Sequence, residues 1–136
     1  IKKNDKERRK IIVMLMHVVS NQGEFDCRSK DEIETIIRQS TQIPYDDIWL
    51  SGEYEYPCLT ITLNGADACL HYFLNGDGDF WQSVGTCERV VSFVSGNGAP
   101  DFTPENAVIT LDQAIQCMRL FFDTLQRPDC IAWRSM

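Results

Sequence analysis

The sequence predicts an α+β fold in a single domain: a mainly antiparallel sheet of about 5–6 strands with two α-helices. Three observations predict it. Asn64-Gly65 lies between two alternating apolar runs, the pattern of a two-residue hairpin turn. Ser29 with Glu32, and Thr110 with Gln113, each have the spacing of a capping box, in which side chains satisfy the free amides of a helix start. A length of 136 residues is enough for one real core. We place a basic N-terminal arm at residues 1–9 and the domain at 10–136.

In chain order, residues 10–19 are short and rich in β-branched side chains, which reads as a strand, with a helix as the alternative. Asn21-Gln22-Gly23 marks a turn. Ile33, Ile36 and Ile37 recur at helical spacing and predict an amphipathic helix over about residues 30–40. Ile43-Pro44 stops it, because proline disfavours helical geometry in the residue before it. Tyr45 to Tyr56 reads as a polar loop with interspersed aromatics.

The hairpin about Asn64-Gly65 sets Leu63 opposite Ala66, Ile61 opposite Ala68 and Leu59 opposite Leu70, an all-apolar core face. Its other face carries Cys58, Thr60, Thr62, Asp67, Cys69 and His71. The turn Asn75–Asp79 leads into a strand at Phe80–Val84, and Val90–Val94 reads as a further strand before a loop at 96–100. Thr110 caps the second helix, whose buried stripe is Leu111, Ala114, Ile115, Met118, Phe122 and Leu125. Arg127-Pro128 ends it, and Ile131-Ala132-Trp133 adds a last short strand.

Composition narrows the function classes. Ile11 to Val19, the longest apolar run, is about half the roughly 20 residues a spanning helix needs, and no secretory signal pattern opens the chain. A cytoplasmic protein without a membrane partner is the expectation. The net charge of −7 is uneven: residues 1–10 hold 6 basic and 2 acidic side chains, and the other 126 hold 7 and 18. So acidic a body repels nucleic acid and favours a basic partner. The six cysteines (Cys27, Cys58, Cys69, Cys87, Cys117 and Cys130) form no C-x-x-C pair and read as reduced thiols.

Candidate chemistry is thin. Asn75, Asp77 and Asp79 begin like a calcium loop, but Phe80 and Thr86 stand where the bend glycine and the bidentate glutamate belong. Cys58, Cys69 and His71 share a hairpin face and are zinc-ligand types, without a fourth ligand or knuckle spacing. His17, inside an apolar run, reads as a satisfied core histidine. Ser83 lacks the flanking glycines of a hydrolase nucleophile elbow. Gly76 and Gly78 lack the third glycine of a dinucleotide site. We assign no catalytic, metal or cofactor residue. What remains is a set of surface acids and aromatics: Asp46, Asp47, Trp49, Glu53, Tyr54, Glu55 and Tyr56 in one stretch, and Asp77 and Asp79 in a turn.

The ordered segments PCLTITLNGADACLHYFLNGDGDFWQSVG at 57–85, VVSFVSGNG at 90–98 and VITLDQAIQCMRLFFDTLQRPDCIAW at 108–133 resemble the immunity protein 1 family of bacterial polymorphic-toxin and contact-dependent growth inhibition systems. Leu70, Tyr72, Trp81, Ser83, Gly85, Pro128 and Trp133 carry the likeness and read as fold-holding. The resemblance implies a small cytosolic protein that binds the C-terminal domain of a cognate toxin, commonly a nuclease or deaminase, as a 1:1 heterodimer. It implies no catalysis. On the charge pattern, Asp77, Asp79, Glu53, Glu55, Tyr54, Asp46 and Asp47 are the expected toxin contacts. Two rival readings are a small metal-binding or hydrolytic enzyme using Cys58, Cys69 and His71, and an adaptor that binds peptides along a sheet edge.

Overall fold

The computed structural model describes residues 15–85, 88–95 and 101–136. The basic arm at 1–9, the start of the first expected strand and the loop at 96–100 lie outside these residues. The chain runs β1 (Met16–Ser20), β2 (Gly23–Cys27), α1 (Lys30–Ser40), β3 (Asp46–Ser51), β4 (Cys58–Asn64), β5 (Asp67–Phe73), β6 (Phe80–Val84), β7 (Ile109–Thr110), α2 (Leu111–Thr124) and β8 (Ala132–Ser135). The strands form one antiparallel sheet in the order β2-β1-β3-β4-β5-β6-β8, with β7 also paired to β5. The α+β class holds, with eight strands among the described residues instead of about 5–6.

Both helices start as their caps dictate. The Ser29 hydroxyl accepts from the Glu32 N–H, and Thr110 and Gln113 make a reciprocal capping box. Ile33, Ile36 and Ile37 of α1, with Ala114, Ile115, Met118 and Phe121 of α2, pack on one face of the sheet against Val18, Ile48, Leu50, Leu59, Ile61 and Leu70. The expected α2 stripe is rotated slightly. Cys117 and Phe121 are buried, whereas Leu111, Phe122 and Leu125 are only partly so, because the Phe121 ring meets Tyr72 edge-on at 6.1 Å. The helix ends before Arg127-Pro128, at a left-handed Leu125 with φ 57°. The Tyr72 hydroxyl donates to the Leu125 carbonyl.

Three sequence expectations need correction. Tyr45–Tyr56 is not all loop: Asp46–Ser51 is β3, paired on both sides by β1 and β4. Val90–Val94 is not a strand. Val90 is 82% exposed, and only Phe93 forms a single bridge, to Phe102. The β4–β5 register is displaced by two residues: Leu63 faces Ala68, Ile61 faces Leu70 and Leu59 faces Tyr72. Gly65, φ +59°, and Ala66 form the turn, and Asn64 pairs with Asp67. The segment after β6 holds both tip residues. The Asn64 amide donates to the Ser92 carbonyl, and Arg89 grips Asp67 with two hydrogen bonds of 2.9 Å. A slip of an even number leaves every side chain on its expected face.

Candidate functional site

The sheet has one face under α1 and α2 and one that neither of these two helices covers, called the helix-free face. Alternation along β3, β5 and β6 sends Asp47, Trp49, Ser51, His71, Phe73 and Phe80 to the helix-free face, opposite Ile48, Leu50, Leu70, Tyr72 and Trp81. Residues 88–95 and 101–108 cover one part of it, with Val91, Phe93 and Val108 packed with Cys69. Around Trp49 the face is partly exposed. Trp49 stacks on Phe73 at 5.8 Å with planes 8° apart, and Phe73 stacks on Phe80 at 5.1 Å and 18°. His71 sits beside this row, 6.2 Å from Phe80 and 6.0 Å from Phe102.

Two open grooves meet at Trp49, which is 40% exposed. One, of about 320 Å³, lies between Asp47, Trp49, Thr60, His71, Phe73 and Phe80. The other, also about 320 Å³, is bounded by His17, Val19, Trp49, Ser51, Glu55 and Cys58. Asp47 braces the row: one carboxylate oxygen accepts from Trp49 Nε1 at 3.0 Å and the other from the Thr62 hydroxyl at 3.0 Å. Burial lowers the His71 pKa from its ordinary value, partly opposed by the hydrogen bond to Gln82.

The expected toxin contacts separate into two groups. Glu53, Tyr54 and Glu55, between β3 and β4, and Asp77 and Asp79, between β5 and β6, are all exposed. They share one end of the sheet, where Ser51 pairs with Cys58 and Cys58 with Phe73, and the Tyr56 ring lies against Gly76. Tyr54 is 72% exposed. Among the described residues, no Lys or Arg forms an ion pair with Glu53, Glu55, Asp77 or Asp79. Asp47 is half-buried on the helix-free face.

Asp46 is a correction. It is fully buried on the helix side, and its carboxylate accepts from the Ser20 and Ser40 hydroxyls and from the N–H groups of Asn21 and Asp47. It ties the β1–β2 turn and the end of α1 to β3, so it is not a surface contact. His17 also departs from expectation. It faces outward, partly exposed, and hydrogen-bonds Asp26 at 3.0 Å across the β1–β2 pair.

The other motifs resolve into packing. The two-residue slip puts His71 opposite Thr60 and Cys69 opposite Thr62, so neither faces Cys58. Among the described residues no group of three or more His, Cys, Asp and Glu side chains is placed to hold a metal ion. Burial pushes the Cys58 and Cys69 thiols up to about 12, far from reactive thiolates. In the Asn75–Asp79 turn, the Asn75 side chain accepts from the Asp77 N–H and donates to Asp79. Ser83 is buried: its hydroxyl accepts from the Leu70 N–H and donates to the Ala107 carbonyl.

A family model described as Immunity protein Imm1 matches residues 22–135, most of the chain. The chain belongs to the Imm1 immunity protein family. No curated protein matches it. In this Imm1 chain, Ser83 bridges the point where β6 leaves β5 and β7 takes its place on the β5 edge. Gly85 donates to the Asn106 carbonyl at 2.6 Å, and a Cβ there would collide with the Val108 carbonyl oxygen. Trp81 lies between Tyr72 and the Arg127 guanidinium, and Trp133 Nε1 donates to the Pro128 carbonyl. No helix among the described residues is long and apolar enough to cross a membrane.

Sequence alone singled out Trp49 but missed Phe73 and Phe80 as partners of one surface. The parity of β5 and β6 was the available signal: Phe73 and Phe80 sit on opposite sides of one turn, both out of phase with Leu70, Tyr72 and Trp81.

Proposed function

We propose that this Imm1 protein acts in the cytoplasm as a stoichiometric inhibitor, binding the C-terminal domain of its cognate toxin one to one. The toxin would be a nuclease or deaminase, delivered by contact-dependent inhibition or a related system. Residues 10–136 serve as the binding domain, and neither nucleic acid nor membrane is a partner. The observation that carries this is the acidic end of the sheet. Glu53, Glu55, Asp77 and Asp79 converge there on two neighbouring loops, with no Lys or Arg ion pair among the described residues. Enzymes that act on nucleic acid present cationic surfaces to phosphate, and an acidic inhibitor competes for that surface. A binding role is favoured over a hydrolytic one because the Ser83 hydroxyl is held by two backbone groups and the Cys58 and Cys69 thiols are buried.

Co-expression and pull-down with the C-terminal domain of the neighbouring toxin gene, followed by a toxin activity assay, tests the role. The expected result is a 1:1 complex in which activity is suppressed. Changing Glu53 and Glu55 to Gln, and Asp77 and Asp79 to Asn, should slow association about tenfold at low salt and flatten its salt dependence. An unchanged association rate and salt slope would remove the electrostatic part of the reading.

A further inference from the structure

We propose that Cys117 and Cys130 form a modification site: a dithiol that a low-molecular-weight disulfide oxidises to an intramolecular disulfide, stapling the end of the chain to α2. The site does not depend on what the protein binds.

The return from α2 to β8 brings the two thiols together. Cys117 lies midway along α2 and is fully buried. The helix runs on to Thr124, and Leu125 turns the chain in the left-handed region. The chain then doubles back, so that the Cys130 sulfur lies 3.0 Å from that of Cys117. Contacts that involve neither thiol hold this return. The Tyr72 hydroxyl donates to the Leu125 carbonyl, and the Arg127 guanidinium lies 4.9 Å over the Trp81 ring. Trp133 Nε1 donates to the Pro128 carbonyl, and β8 pairs with β6. Both sulfurs are thus in place before any bond forms, which favours their union over union with a distant thiol.

Exposure sets the order of events. Cys130 is only partly buried, so an external disulfide reaches it first. Burial pushes the Cys117 thiol up, and the adjacent Cys130 thiol adds to this, so Cys117 reacts second. The other described cysteines are placed differently. Cys27, Cys58 and Cys69 are buried, and the β4–β5 register sets Cys58 opposite Phe73 and Cys69 opposite Thr62. Cys87 lies outside the described residues, and a bond to it is one outcome of the mapping below.

Glutathione disulfide represents the oxidant class. The Cys130 thiolate attacks one of its sulfurs, forming a mixed disulfide and releasing a glutathione thiolate, which takes up the proton Cys130 lost. The Cys117 thiolate then attacks the Cys130 sulfur, forming the Cys117–Cys130 bond and breaking the bond to glutathione. The second glutathione takes up the proton of Cys117. Two protein thiols lose two electrons and two protons, and one glutathione disulfide becomes two glutathione thiols. A reduced glutathione pool holds the pair open, and a rise in glutathione disulfide closes it. Closure links residues 117 and 130, which restricts the unfolded chain and ties the return before β8, an edge strand of the sheet, to α2.

The test incubates the purified full chain, reduced and then freed of reductant, with glutathione disulfide under folding conditions. Remaining thiols are alkylated in denaturant and the peptides mapped by mass spectrometry. The expected product joins Cys117 to Cys130 and is lighter than the reduced chain by two hydrogen atoms. Its Tm should exceed that of the reduced chain by about 5–10 °C, a gain that dithiothreitol removes. Cys130→Ser, at the partly exposed position, should abolish both the bond and the gain. Cys117→Ala should stop at a glutathione adduct on Cys130. A wild-type product that stops at such an adduct, that joins either residue to another cysteine, or that keeps both thiols free overturns the site. A gain in Tm that persists in Cys130→Ser does the same. A joined product whose Tm does not rise overturns the staple.

Discussion

The two faces of this one sheet are made of neighbouring residues yet differ sharply in burial. On the helix side, Ile48, Leu50, Leu59, Ile61, Leu70 and Tyr72 are shut away under α1 and α2. The charges there are settled internally: Lys30 pairs with Asp123, Arg38 with Glu34, and Arg119 with Asp31 and Glu34, all at 3.0 Å. On the helix-free side, Trp49 and Phe73 keep contact with water, and the nearby loops carry Glu53, Glu55, Asp77 and Asp79. Side chains one residue apart, such as Trp49 and Leu50, therefore answer to different demands. Three of the seven Lys and Arg among the described residues, Lys30, Arg38 and Arg119, are used in these helix-side ion pairs, and none of the seven forms an ion pair with those four loop acids.

Breaking the junction between the end of β6 and residues 106–108 should have the largest effects. Gly85→Ala places a Cβ against the Val108 backbone, where no flexible side chain can yield. We expect a loss of about 3 kcal/mol or more, seen as a Tm fall on the order of 10 °C. Ser83→Ala should cost roughly 1–3 kcal/mol in urea unfolding, because it strands the buried Leu70 N–H and the Ala107 carbonyl. A cost near zero would mean that the bridge between β5, β6 and the Ala107 segment does not brace the sheet.

The helix-free face should respond less in stability. Trp49→Ala removes one stacked ring from a half-exposed site and should cost no more than about 1 kcal/mol in the same assay. A loss as large as that of Gly85→Ala would mean that Trp49 is part of the core scaffold. The smallest expected effect is that of His71. Its folded pKa is lowered, so above the unfolded value near 6.5 the imidazole is neutral in both states. As pH falls through that value, the unfolded chain takes up the proton first, and stability is lost progressively until the folded pKa is passed. Unfolding of the wild type between pH 7.5 and 5 should show this slope, and His71→Gln should reduce it.

Much of the architecture was legible because its signals are local. Ser29 with Glu32 and Thr110 with Gln113 start helices through contacts within one turn, and Ile33, Ile36 and Ile37 reveal the buried face of α1 by spacing alone. The hairpin faces were legible as well, since alternation survives an even slip. Of the candidate site, the exposed acids on the two loops were readable as residue types. The groove beside Trp49 was not, because Trp49 and Phe73 meet through two intervening strand pairings that no short window contains.

The sequence by itself determined the fold class, both helix starts, the hairpin and the Imm1 likeness, each encoded within a few residues or in the order of short segments. Tertiary structure alone decided the rest. Asn64 and Asp67 take their register from the crossing segment that carries Arg89 and Ser92. Asp46 is buried because Ser20 and Ser40, distant in sequence, bring it hydrogen-bond donors. Asp47, the next residue, turns to the other face and braces Trp49. Composition treats the two acids alike. Only the strand that separates them assigns one to holding the fold together and the other to the exposed face.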